Sequence, residues 1–321
     1  MHLSEGILPA SWAAANYAVA VPVVLAGAAR IKKMSAKCPA ARPLLGLMGA
    51  GVFVISALPI PVPISGTCAH PTGVGLAAII LGPLPTAAIT MVVLLIQALF
   101  MAHGGISTLG ANTLNMGIIG AGTGYAAFVL CKWMKLPLAA SAFAAGFLAD
   151  ISTYAATAGS MALALHGDTP INAAWLTIAL AFVPTQLPLA VLEGIVTAGV
   201  ITFIRERRPD ILASLGLGEK KQVETTAARR WALSGAILLG TLVLFSLGKS
   251  GSWEGVDVAV VGQQAEQLGA IVRPPTINIQ GDLLLFAFVM AGAMGGFVIG
   301  YLWRGFFQKR VARGPRDGAA R

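Results

Sequence analysis

Long stretches that are apolar on every face alternate along this chain with short polar or basic interruptions. Runs at 10–29, 44–63, 72–82, 84–101, 113–131, 137–162, 173–204, 231–248 and 283–303 lack both the strict alternation of a half-buried strand and the polar stripe of a surface helix. Roughly 20 consecutive apolar residues suffice to cross the hydrocarbon core as a helix. The pattern therefore predicts an all-α polytopic membrane protein, and the unbroken apolar segments argue against a barrel, whose strands would alternate. The run at 72–82 is too short to cross a bilayer alone, so it is expected to be tilted, broken or buried between neighbours.

The spacing also divides the chain. Residues 1–204 form a seven-helix body, and RERRPDILASLGLGEKKQVETTAARR at 205–230 reads as a cytoplasmic linker. A two-helix appendage follows at 231–304, with an external polar segment at 249–282 that contains Glu254, Asp257, Glu266 and Asp282. A basic tail at 305–321 closes the chain.

Composition agrees with that picture: of 321 residues, 56% are hydrophobic and 11% charged. The formal charge of +9 could suggest nucleic acid, so the placement of the basic residues decides its meaning. With the N-terminus outside, segments 30–43, 132–136, 205–230 and 304–321 are inside and hold 20 of the 22 Lys and Arg residues. Only Lys249 and Arg273 then lie outside, which fixes the orientation, with a cytoplasmic C-terminus, by the positive-inside rule. The charge is a topology signal and leaves nucleic-acid binding no role. Cys38, Cys68 and Cys131 supply no disulfide framework. Small-residue patches at 117–122 and 292–296 suit close helix packing.

Candidate chemistry begins at the first residues, MHLSEGILP. A free α-amine on Met1, the amide nitrogen of His2 and the His2 imidazole Nδ1 can grip one metal in fused five- and six-membered rings. These nitrogens are nearly coplanar, which suits Ni²⁺ and Cu²⁺ foremost, admits Co²⁺ and fits tetrahedral Zn²⁺ worse. His70 is the best candidate for a fourth donor. Cys68 is a softer alternative whose thiolate would resist release. The stretch carrying His70 also holds Ser65 and Thr67, and His103 precedes a run containing Asn112 and Asn115; these polar groups are suited to supporting hydrogen bonds. Glu5 and Gly6 read as an anchor and a turn that lets the terminus reach inward, and the segment is expected to remain unprocessed. His166 reads as part of an ordinary interhelical turn. Asp150 and Glu193 lie within predicted spans, where ionisable groups are costly, and are open to either an ion-path role or structural satisfaction.

Three blocks carry a resemblance: MHLSEGILP, GTCAHPTGVGLAAIILGP at 66–83 and LLIQALFMAHGGISTLGANTLNMG at 94–117. Together they closely resemble the membrane substrate-capture component of cobalt and nickel energy-coupling-factor transporters of the bacterial inner membrane. Residues 231–304 resemble, by architecture and position, the small two-helix accessory subunit of the same systems. The resemblance implies metal binding by the Met1 amine, the His2 amide and imidazole, and His70, with Asn112 and Asn115 near the ion. It implies as partners a transmembrane coupling subunit and cytoplasmic ATPases. No GxxxxGK[ST] sequence is present, so if transport is ATP-driven the ATPase is expected to be another polypeptide.

The leading expectation is uptake of Co²⁺ or Ni²⁺ as bound substrate, with no catalytic cofactor. Two other classes stay open from the residues alone. An intramembrane metalloenzyme would use His103, Asp150 and Glu193, although no HExxH or nucleophile-base motif is present. An ion-gradient-coupled carrier would use Glu193 beside the proline-broken helix at Pro188.

Overall fold

A computed structural model describes residues 2–37, 41–62, 65, 67–214, 255–271, 273–274 and 276–307. The first helix, α1 (Ala10–Lys37), starts directly after Pro9 and runs beyond the predicted apolar span into the basic residues that follow it. The second, α2 (Ala41–Ala57), stops short of the predicted end at 63. Pro59, Pro61 and Pro63 explain the difference: each removes a backbone donor and biases the residue before it toward extended backbone. The chain instead forms a short antiparallel hairpin, β1 (Ile60–Val62) against β2 (Thr67–Ala69), with Ile60 opposite Ala69.

The short run proves to be α3 (Val74–Leu81), eight residues all buried. At 1.5 Å per residue it spans about 12 Å, well under the roughly 30 Å of a hydrocarbon core. Gly82, at φ 87°, separates it from α4 (Pro83–Phe100), which opens on a proline at its first position. The next helix, α5, covers Leu109–Trp133. It is π-helical over Thr113–Gly120, between α-helical ends at Leu109–Asn112 and Ala121–Trp133.

Helices α6 (Leu138–Leu165) and α7 (Ile171–Arg207) make the most extensive pairing, and Pro184 and Pro188 lie within α7. Ala142, Ala145 and Ala149 are fully buried, and small side chains of this kind let helix backbones close up where lipid offers no hydrophobic drive. A short α8 (Pro209–Ser214) follows. The remainder of the predicted linker and the predicted span at 231–248 lie outside the described residues.

The chain is described again from Gly255, with a π-helical turn at Asp257–Gly262 that runs into α9 (Gln263–Gln267). The last helix, α10 (Gly281–Phe307), packs along α2, where Gly295 sits against Val54 and Phe53. Leu285, Phe286, Val289 and Phe297 are exposed on α10, as befits a face turned to lipid. Residues 308–321 of the predicted tail lie outside the described residues.

Among the described residues, six helices are long and apolar enough to cross a membrane: α1, α4, α5, α6, α7 and α10. The chain is a helical, multi-pass membrane protein. The start of α1, the β2-to-α3 turn, the end of α4 and the start of α5 meet at one end of the bundle, and that end carries the histidines.

Candidate metal centre

Residues 2–9 precede α1 and lie against the loop that joins α4 to α5. Asn112 grips the peptide around Leu3 from both sides: the Leu3 N–H donates to Oδ1 at 2.8 Å, and Nδ2 donates to the Leu3 carbonyl at 3.1 Å. The Thr108 hydroxyl donates to the same carbonyl at 2.5 Å. These contacts fix the backbone immediately after His2 and leave the His2 amide nitrogen out of the grip.

Two residues on, the Glu5 carboxylate accepts the N–H groups of Ile106 at 2.6 Å and Ser107 at 3.2 Å. Gly6, at φ 76°, then turns the chain. Such close approach depends on Gly105, where an added Cβ would lie 2.7 Å from the Glu5 backbone. Beside it, Gly104 at φ 83° would meet the His2 Cβ and Asn112 Nδ2 at 3.3 Å.

His70 leaves β2 and enters a turn held by a buried acid from α7. The Glu193 carboxylate accepts from the Thr72 N–H at 2.5 Å, the Thr72 hydroxyl at 2.7 Å and the Gly73 N–H at 2.9 Å. Glu193 is thereby a structural anchor for the loop bearing His70. Asp150, fully buried on α6, neighbours it.

His2, His70 and His103 converge, each offering a ring nitrogen within 4.8 Å of the others. The His2 and His70 rings stack at 5.0 Å, and the His103 ring stands edge-on to His2 at 4.3 Å. His103 Nε2 lies 2.9 Å from His70 Nε2. His70 Nδ1 faces the Pro71 carbonyl at 3.2 Å, and His103 Nδ1 faces Asp257 Oδ2 at 3.2 Å. The Nε2 atom of His2 has no protein hydrogen-bond partner.

Burial makes these imidazoles poor bases. It pushes His70 down to about 3, helped by the neighbouring His103. His2 is held well below the ordinary range by burial, then by His103 and His70, and His103 is lowered by burial against the opposing pull of Asp257. Burial alone would raise Asp257, but the neighbouring amino terminus, then His103, His2 and His70, hold it well below the usual carboxylate range. Near neutral pH the cluster is three neutral imidazoles beside one carboxylate, a donor set suited to a first-row transition metal.

The other predicted positions fall as follows. Met1 lies outside the described residues. Asn115 sits in the π-helical stretch and accepts a hydrogen bond from Ser160 at 2.9 Å, directed to α6 and not to the histidines. Ser65 pairs with Thr67 at 2.8 Å, and Thr67 continues to Thr185 at 3.2 Å, so both tie the hairpin to α7. Cys68 is a free thiol that burial pushes up, which disfavours the thiolate a metal requires. His166 stands in the turn after α6, facing the Thr169 carbonyl at 3.1 Å.

From the sequence, His103 reads as a supporting residue of the metal site, or as a reacting group only in the metalloenzyme alternative, and Asp257 does not stand out. The glycine pair after His103 was the available signal, since it marks a loop that another backbone approaches closely. Asp257 is one of four acids in its segment, and nothing in their spacing distinguishes it.

A sequence model of the CbiM family, described as the cobalt uptake substrate-specific transmembrane region, matches residues 2–211. The chain belongs to the CbiM family. A cobalt transport protein CbiM of Geobacter sulfurreducens is 47% identical over 308 residues, covering 95% of this chain and 89% of that protein. A CbiM of Sorangium cellulosum is 49% identical over 215 residues, covering 67% of this chain and 96% of that protein. The fold is also similar to a crystal structure of a truncated transition metal transporter, with TM-score 0.56 and 29% identity over 64% of this chain and 99% of that one. Membership of CbiM makes the chain a transporter component of the bacterial inner membrane and not an enzyme. The family region ends at residue 211, so Asp257 belongs to the part of the chain beyond it.

Proposed function

We propose that this chain is the substrate-binding membrane component of an energy-coupling-factor transporter that takes up Co²⁺ or Ni²⁺. With residue 1 at the chain's terminus, the Met1 amine, the His2 amide nitrogen, the His2 imidazole and the His70 imidazole hold the ion. The convergence of buried His2 and His70 beside a fixed N-terminal segment is the observation that carries this reading. The Asn112 grip on Leu3 adds support, because it braces the backbone next to the proposed amide ligand. Square-planar nitrogen coordination suits Ni²⁺, and a protein can impose it on Co²⁺. The relatives named cobalt transport proteins favour cobalt.

In this reading the histidine end faces outside, as the distribution of Lys and Arg requires. A transmembrane coupling subunit and cytoplasmic ATPases drive release. Residues 231–304 act as a fused accessory unit behind the 205–230 linker. Uptake of cobalt or nickel by cells that express the chain with those partners tests the reading. His2→Ala and His70→Ala should abolish uptake and leave the protein in the membrane, whereas normal uptake by either variant refutes it. Uptake that needs only an ion gradient, and no ATPase, would establish the carrier reading instead.

A further inference from the structure

The segment after Gly255 touches all three of the loops that bear the histidines. Gly255 forms a parallel bridge with Cys68, two residues before His70. The Arg273 N–H donates to the Glu5 carbonyl at 3.1 Å, and the aliphatic stem of Arg273 lies over Gly6. Asp257 stands 3.2 Å from His103 Nδ1. These three contacts join residues beyond the family region to the N-terminal segment, to β2 and to the α4–α5 loop.

Hydrogen-bond bookkeeping gives the Asp257 contact a consequence. A carboxylate only accepts, so His103 Nδ1 carries the hydrogen in that contact. A neutral His103 then presents a lone pair at Nε2. The same logic holds for His70, whose Nδ1 faces the Pro71 carbonyl, another pure acceptor, and whose Nε2 is left as a lone pair. The two Nε2 atoms face each other at 2.9 Å. Two lone pairs directed together repel, and a cation that engages them relieves the conflict. Both outward anchors therefore turn the rings so that their donor nitrogens converge on the place where an ion would sit.

We infer that Asp257 is a positioning residue: it fixes the tautomer and ring orientation of His103, which presents Nε2 as an additional metal ligand, and so makes the appended external segment part of the metal site. This rests on the ligand set proposed above and extends it. Four nitrogens fill a square plane, and His103 supplies a fifth donor, which matters more for Co²⁺ than for an ion content with four. The division of labour is clear: the family region holds the ion, and the appended segment sets the orientation of one ligand.

The test is Co²⁺ binding to the purified full-length chain, followed by affinity and by the visible d–d absorption of the bound ion. Asp257→Ala should weaken binding about 10- to 100-fold, the cost of losing an outer-shell partner, and shift the absorption. Asp257→Asn, whose amide oxygen still accepts from Nδ1–H, should restore most of the affinity and the native spectrum. His103→Ala should reproduce the spectrum of Asp257→Ala, and the double variant should lose little more than either single one. Native affinity and spectrum in Asp257→Ala, with binding lost in a His70→Ala control, overturn the inference and leave the ligand set standing. Equal losses in Asp257→Ala and Asp257→Asn also overturn it, because charge alone would then be at work. Undiminished binding by His70→Ala removes the ligand set, and the inference with it.

Discussion

Asn112 and Leu3, 109 residues apart, exchange a reciprocal pair of hydrogen bonds, the Leu3 N–H to Oδ1 and Nδ2 to the Leu3 carbonyl. The side-chain amide thus stands in for a neighbouring strand and pins the segment before α1 to the start of α5. Everything proposed for metal capture depends on that attachment, because an N-terminal chelate is useful only if it is held still.

Asn112→Ala removes both halves of the pair and leaves two buried backbone groups of Leu3 less well satisfied. Metal affinity should fall about 10- to 100-fold, as for other outer-shell losses. The membrane body should keep its helical content, measured by circular dichroism in detergent. A fall in affinity with no change in helicity is the expected combination.

Gly105→Ala acts on the same segment by volume alone. Its Cβ would meet the Glu5 backbone at 2.7 Å, so the N-terminal segment must move away from the 106–107 amides. Affinity should drop, and residues 2–8 should become easier for an aminopeptidase to remove. Unchanged protease resistance would show that the loop yields in place of the terminus.

The Glu193 carboxylate braces the His70 loop with three accepted hydrogen bonds. Glu193→Ala leaves those donors buried and unpaired, at about 1–3 kcal/mol for each group that finds no new partner. A lowered thermal midpoint is expected even without metal, together with weakened binding. Glu193→Gln, which keeps one acceptor oxygen, should be intermediate in both measurements.

The histidine shifts set a pH dependence. His70 sits at about 3 in the folded protein against 6.5 for an ordinary imidazole, so below 6.5 the unfolded chain takes up protons that the folded chain refuses. Stability of the metal-free protein should therefore fall as pH drops from about 6.5 toward 3. Metal binding should not have to displace protons from imidazoles near neutral pH. Between pH 6 and 7, binding should release about two protons per ion, from the amine and the amide, and not the larger number that ordinary histidines would add. Calorimetry in buffers of different ionisation enthalpy measures that number.

Much of this architecture was legible from the chain. Apolar runs of helical length exposed the body, and the shortness of 72–82 already set α3 apart, because length against bilayer thickness is a local property. Hydropathy alone extends α2 to 63, whereas the alternating prolines at 59, 61 and 63 overrule it and give the hairpin at 60–69. Likewise His2 and His70 could be paired by their chemistry, whereas the approach of His103 depends on how α4 ends and α5 begins. Asp257 lay furthest from view. Its contact with His103 spans 154 positions and two separate parts of the chain, and only tertiary packing brings them together.

The most direct measurement is titration of the purified full-length chain with Ni²⁺ or Co²⁺, comparing the native terminus with a form extended by one residue. An extension converts the Met1 amine to an amide and removes one ligand without touching any side chain. One ion should bind the native form tightly, and the extension should weaken binding by more than the roughly 100-fold typical of outer-shell losses. Equal affinity in the two forms would contradict an N-terminal chelate.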